Sequence, residues 1–312
     1  MTLAAFLETA WTDHGDHAAA VGERLSSSTA LVASAADVAP WARIVVHVFG
    51  EHLGEWARGW ALLRSLDTKM AGALDDASSE AREARNALDR GIAALAFGGG
   101  DLRALDALAR ADRAAVLATL ASAFVARGES HRAIEALDDA LVYAAGGLAD
   151  GHAAIRALAV AGNNVASTLE TKPGRDAHET RGMLVAAQAG LDYWSRAGGW
   201  LERERALYML ARARLAAGDA GGAARAARDC IAVCEANDAP AFERFFGQAV
   251  LALALHADAD VAGSSYARAA ALASYGQVPD DERDWCKREH GELAVLDAAP
   301  VSPTAPVGGA AP

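Results

Sequence analysis

The stretch TLASAFVARGESHRAIEAL, Thr119–Leu137, decides how the fold is read. With Leu117 just ahead of it, Leu120, Ala121 and Phe124 fall at i, i+3, i+4 and i+7, one face of an α-helix. Gly128 closes that helix, and Glu129 caps the next one. Two further stretches align with it without gaps: VVHVFGEHLGEWARGWALL from Val45 and MLARARLAAGDAGGAARAA from Met209. All three share a glycine (Gly54, Gly128, Gly218) followed by an acid (Glu55, Glu129, Asp219). Each also has a small residue one turn into the second helix (Gly59, Ala133, Ala223) and an apolar residue two turns before the glycine (Val46, Leu120, Leu210). A weaker copy, ALALHADADVAGSSYARAA, puts Ala257 in the glycine column and keeps Asp258 and Ala262, and a still weaker one centres on Gly100-Asp101. The Gly-acid pair makes a helix–turn–helix, and the small residue lets the second helix lie close against the first. Such a hairpin cannot bury its apolar face alone, so neighbours must stack.

Working outward, the composition agrees with an all-α chain. Roughly a quarter of the residues are Ala, well above ordinary usage, and Ala is both the best helix former and the smallest side chain to pack. The hydrophobic share of 53% therefore overstates the supply of large apolar side chains, since aromatics make up only 6%. No stretch alternates with strand period. The reading is about fifteen helices joined by short loops. Pro40, Pro173, Pro240 and Pro279 mark helix starts or linkers, and Asp176 with Glu179 forms a capping box after Pro173.

The net charge of −12 excludes a sequence-neutral nucleic-acid binder, which needs a basic stripe, and an anionic membrane surface. No apolar run reaches the roughly 20 residues of a membrane span. The start, MTLAAFLETAWTDHGDH, lacks a basic n-region, and Cys230, Cys234 and Cys286 make no disulfide framework. Together these point to a cytoplasmic protein. Cys230 and Cys234 lie at i, i+4 on an apolar stripe with Ala223 and Ala227, and read as buried thiols.

The hairpin columns resemble those of the tetratricopeptide repeat family, whose helix pairs of ~34 residues carry the same Gly-acid turn and small residue. The resemblance spans residues 40–275 and implies a right-handed α-α superhelix of antiparallel helix pairs, a solenoid that acts as an interaction scaffold. On this reading residues 1–39 are N-terminal helices packing on the array, 276–298 a capping helix with Trp285, and 299–312 a disordered Ala/Pro tail. The chain lacks the family's usual proline at each repeat end.

If the first helix of each hairpin lines a concave face, Arg205, Tyr208 and Arg212 project into it from one stripe. Arg156, Asn163 and Ser167 do so from the preceding hairpin, and Arg244 from the following one. Arginine forks match carboxylates bidentately, so the expected partner is a protein or peptide that is acidic or carboxylate-ended. The competing reading pairs these arginines with Glu202, Glu204 and Glu243 as surface ion pairs. Asn163-Asn164 interrupts an apolar helical run, and its amides need hydrogen-bond partners from a neighbouring helix or a ligand. Tyr193, Trp194 and Trp200 flank the loop SRAGG, either sealing a helix junction or offering a stacking platform.

HVFGEH is the most enzyme-like element. His47 and Glu51 share a helical face at i, i+4, but His47 and His52 at i, i+5 diverge widely around an α-helix. A metal site there needs another ligand from elsewhere, and His14 or His17 supplies one if the N-terminal helices fold back. In the repeat register His47 instead packs at a helix crossing. The expectation is thus a non-catalytic scaffold without catalytic residues, cofactor or metal. The alternative is a metal- or small-molecule-binding sensor or enzyme around His47, Glu51, His52 and Asn163/Asn164.

Overall fold

A computed structural model describes residues 2–298; the proposed tail, 299–312, lies outside them. Among the described residues the chain is helical throughout and contains no strand. The α-helices number thirteen rather than about fifteen. The difference arises at α1 (Leu3–Ser28), where two helical stretches run on across a kink at His17, and around Gly100-Asp101, which forms turns instead of a hairpin. No described helix is long and apolar enough to cross a membrane.

The chain divides into two units, Met1–Ala206 and Leu207–Pro312, with the division falling inside α9. The first contains α1, α2 (Ala35–Val46), a π-helix (His47–Leu53), α3 (Trp56–Leu74), α4 (Ser79–Gly98), α5 (Arg110–Ala126), α6 (Ser130–Ala144), α7 (Ala153–Thr171), α8 (Ala177–Ala197) and the start of α9 (Trp200–Ala216). The second holds the rest of α9, α10 (Ala220–Ala236), α11 (Ala241–Ala257), α12 (Val261–Tyr275) and α13 (Lys287–Ala298).

The hairpin columns correspond to real turns. Gly54, Gly128 and Gly218 all sit at positive φ (66, 76 and 82°), the left-handed conformation that ends a helix most easily at glycine. Glu55, Glu129 and Asp219 each occupy the cap of the helix that follows. Gly59, Ala133 and Ala223 are buried where the paired helices approach. The fourth copy turns two residues later than its sequence suggests. Ala259 takes the left-handed position (φ 61°), Asp260 caps α12, and Ser264 fills the small-residue column. That hydroxyl donates to the Ala252 carbonyl at 2.9 Å, which satisfies a polar group in a buried column.

Capping chemistry sets the helix starts. Asp176 and Glu179 form the expected reciprocal box. Ser34 and Asp37 form another, so α2 begins there and carries Pro40 inside it, not at its start. α1 to α4 share one apolar core, in which Trp41 is fully buried and its indole N–H donates to Ser28 Oγ at 2.9 Å. A separate core in the second unit gathers Phe245, Ala249, Leu255, Ala271 and Leu293.

Candidate metal centre

α1 buries Leu3, Phe6 and Ala10, with Leu7 and Trp11 packed beside them. Leu3, Leu7, Ala10 and His14 follow helical i, i+4, i+7, i+11 spacing, which puts the His14 ring at the edge of the face turned to the core. Just beyond it the helix bends: His17 leaves helical geometry at φ −132°, ψ 39°, and Arg24 reaches back to Asp13 at 2.7 Å. His17 itself is exposed and lies outside the cluster.

α2 continues into the π-helix, whose Val48 and Phe49 are fully buried. This backbone change decides the site. In an α-helix, residues i and i+5 lie about 140° apart around the axis. In a π-helix the hydrogen bonds run from i to i+5 and the turn is wider, so residues five apart lie much closer in angle than they do in an α-helix. His47 and His52 therefore face the same way, with ring centroids 4.7 Å apart. His14 completes the group, its centroid 4.8 Å from that of His47 and 5.0 Å from that of His52. One ligand atom from each ring lies within 4.8 Å of the other two.

Hydrogen bonding defines which nitrogens are available. His14 Nδ1 is 2.7 Å from the Trp11 carbonyl oxygen, which only accepts, so Nδ1 carries the proton and Nε2 the lone pair. His47 Nδ1 donates to Glu51 Oε2 at 3.0 Å, leaving its Nε2 likewise free. That Nε2 is 3.1 Å from Nε2 of His52. Tetrahedral zinc with Zn–N bonds of about 2.0–2.1 Å holds its nitrogens about 3.3–3.4 Å apart, so this pair already has the spacing of two ligands. Burial, with the neighbouring His47 and His14, lowers the pKa of His52, while Glu51 opposes them.

Glu51 plays the orienting part that carboxylates take behind ligating histidines. Trp11 walls one side, 5.2 Å from both His14 and His47, and the Arg43 guanidinium stacks on its ring at 5.0 Å. His52 is exposed, so the centre opens to solvent. Three neutral imidazoles and an open position form the donor set of zinc sites that bind water or an exogenous ligand. The repeat register, which aligns His47 with Ala121 and Ala211, predicts a helix-crossing role for it. Its ring instead stands with His14 and His52, a quarter of its side chain exposed.

The residues assigned to a groove are divided between the two units. In the first, exposed Arg156 stacks on Trp194 at 5.3 Å. Trp194 packs with Ala159 and Ala206, beside Tyr193, in a small core that seals a helix junction. Asn164 Nδ2 reaches Ser122 Oγ on α5 at 3.4 Å. Asn163 sits where α7 meets α8, its Oδ1 buried without a hydrogen-bond donor. Arg205 is exposed on α9.

In the second unit Arg212 is almost fully buried and forks onto Glu292 of α13 at 2.5 and 2.9 Å. The Tyr208 hydroxyl donates to Glu289 Oε1 at 2.5 Å. Burial raises the Tyr208 pKa well above its ordinary value, which keeps it a donor. Arg244, half-buried on α11, leaves its Nε without a partner. Two of the carboxylates that meet Tyr208 and Arg212 thus come from α13, about 80 residues further along the chain. Cys230 and Cys234 are buried thiols, as their apolar stripe predicts.

No protein-family model matches the chain, and a comparison with curated proteins finds no match either.

Proposed function

We propose that the protein binds a divalent transition-metal ion of the zinc class through His14, His47 and His52. The observation that carries this reading is the convergence of three imidazoles, one ligand atom from each within 4.8 Å of the others and the Nε2 atoms of His47 and His52 3.1 Å apart. The Nε2 atoms of His47 and His52 share one proton at 3.1 Å, and a cation in its place takes a ligand atom from each of the three rings. Imidazole ligands favour zinc, copper, nickel and iron over magnesium or calcium.

Titration of the metal-free protein with Zn²⁺ against a chromophoric chelator tests this, with a tight equivalent expected. Glu51→Ala keeps every ligand but removes the carboxylate that orients His47, and lowers the affinity of that equivalent about 10- to 100-fold. An unchanged affinity in Glu51→Ala contradicts the assignment of Nε2 as the ligand atom of His47.

A second reading, a non-catalytic scaffold with tetratricopeptide-like superhelical repeats, is supported by the helix pairs turning at Gly54, Gly128 and Gly218. The recognition of Glu289 and Glu292 by Tyr208 and Arg212 adds to it, because carboxylates on a helix are the chemistry such a groove takes. Affinity capture from lysate with wild type and Arg205→Ala tests it, circular dichroism serving as the folding control. A partner lost only by the folded variant supports the scaffold, and retention of every partner contradicts it.

A further inference from the structure

A second group of nitrogen and oxygen donors lies elsewhere in the first unit. His131 is near the start of α6, while Asp176 caps α8 and His178 stands in its first turn. The His131 and His178 rings meet edge to face at 5.1 Å, and His131 Nε2 is 3.0 Å from Asp176 Oδ2. One donor atom from each of the three lies within 4.8 Å of the others.

The start of α8 does not need these histidines. Asp176 Oδ1 accepts from the Glu179 N–H at 2.8 Å, and Glu179 Oε2 accepts from the Asp176 N–H at 3.2 Å. The capping box is complete, and Asp176 Oδ2 turns to His131 at 3.0 Å. The nearby cation is committed as well, since Lys172 Nζ bonds to Glu179 Oε1 and to Ser130 Oγ. Neither ring is buried in an apolar core: His131 is well exposed and His178 half-buried. Asp138, two turns along α6 from His131, adds a carboxyl near His178; burial raises its pKa, and His178 pulls it back.

We propose that His131, Asp176 and His178 form a second site for a late divalent transition-metal ion, with two imidazole nitrogens and one carboxylate oxygen as ligands. Two histidines and one carboxylate with open positions suit nickel, copper, zinc or iron, and suit the hard ions magnesium and calcium poorly. With half-exposed ligands the site exchanges its ion with solvent readily, and binds more weakly than the three-histidine centre.

Calorimetric titration of the full chain with Ni²⁺ alone tests the proposal. Wild type is expected to take up two equivalents, and His131→Ala/His178→Ala one. His14→Ala/His47→Ala reports on the other centre separately: loss of one equivalent there, with none lost in the first variant, overturns this site and leaves the first intact. His131→Gln adds a control for the helix cap, because it keeps a donor for Asp176 but offers no ring nitrogen. Nickel uptake by His131→Gln equal to that of wild type overturns the proposal; loss of one equivalent with an unchanged melting temperature supports it.

Discussion

Replacing His47 by alanine is expected to abolish the tight zinc equivalent while leaving the helices in place. The ring supplies one of three nitrogens, and it also links the centre to Glu51 through the 3.0 Å Nδ1 bond. Zinc sites with four protein ligands bind with about 10–16 kcal/mol, or roughly 3 kcal/mol for each ligand, so removing one ligand weakens binding about a hundredfold or more. The backbone does not depend on this ring. The π-helix is anchored by buried Val48 and Phe49 and closed by Gly54, whose left-handed φ of 66° ends it. His47→Ala should therefore keep its far-ultraviolet circular dichroism and lose its zinc. Retained tight binding in this variant contradicts the three-histidine assignment.

The second large effect concerns packing. Gly162 on α7 faces Gly190 on α8 at a crossing with no room for a side chain. A Cβ at Gly162 would lie 2.4 Å from the Gly190 nitrogen and 2.7 Å from the Ala186 carbonyl oxygen. Both are backbone atoms of the facing helix, so relief requires the two helices to separate. Helix propensity alone favours alanine over glycine by about 1 kcal/mol. Overpacking opposes it and dominates, and Gly162→Ala is expected to cost about 2 kcal/mol net. Gly72 on α3 provides the contrast, because nothing lies within 4 Å of its hypothetical Cβ. Gly72→Ala should stabilise by up to about 1 kcal/mol. Urea denaturation of the two variants should give midpoint shifts of opposite sign; shifts of the same sign contradict the crossing.

The hairpins were legible in the sequence because a left-handed turn, a cap and a crossing each restrict residue type locally. Gly128, Glu129 and Ala133 can be recognised without knowing anything distant in the chain. The fourth copy shows where this stops: Ala259 adopts a conformation that glycine would have advertised, and its register was misplaced by two residues. Within the site, the His47–Glu51 pair follows from α-helical spacing and is found bonded. His52 was set apart from His47 because α-helical geometry was assumed, and nothing in HVFGEH announces a π-helix. His14 depended on where α1 packs, which its apolar spacing suggests only once the face turned to the core is known. Tyr208 and Arg212 meet Glu289 and Glu292, carboxylates that only the fold of the second unit brings to them. Asn163 stands at the close crossing of α7 and α8 where Gly162 faces Gly190, whereas Asn164 turns to Ser122 of α5, and the sequence alone does not separate the two.

X-ray absorption spectroscopy at the zinc edge, on protein loaded with one equivalent, tests the central claim most directly. The account predicts three imidazole ligands at about 2.0 Å, with the remaining position filled by a light atom. A first shell with fewer than two imidazoles, or one dominated by sulfur, would contradict it.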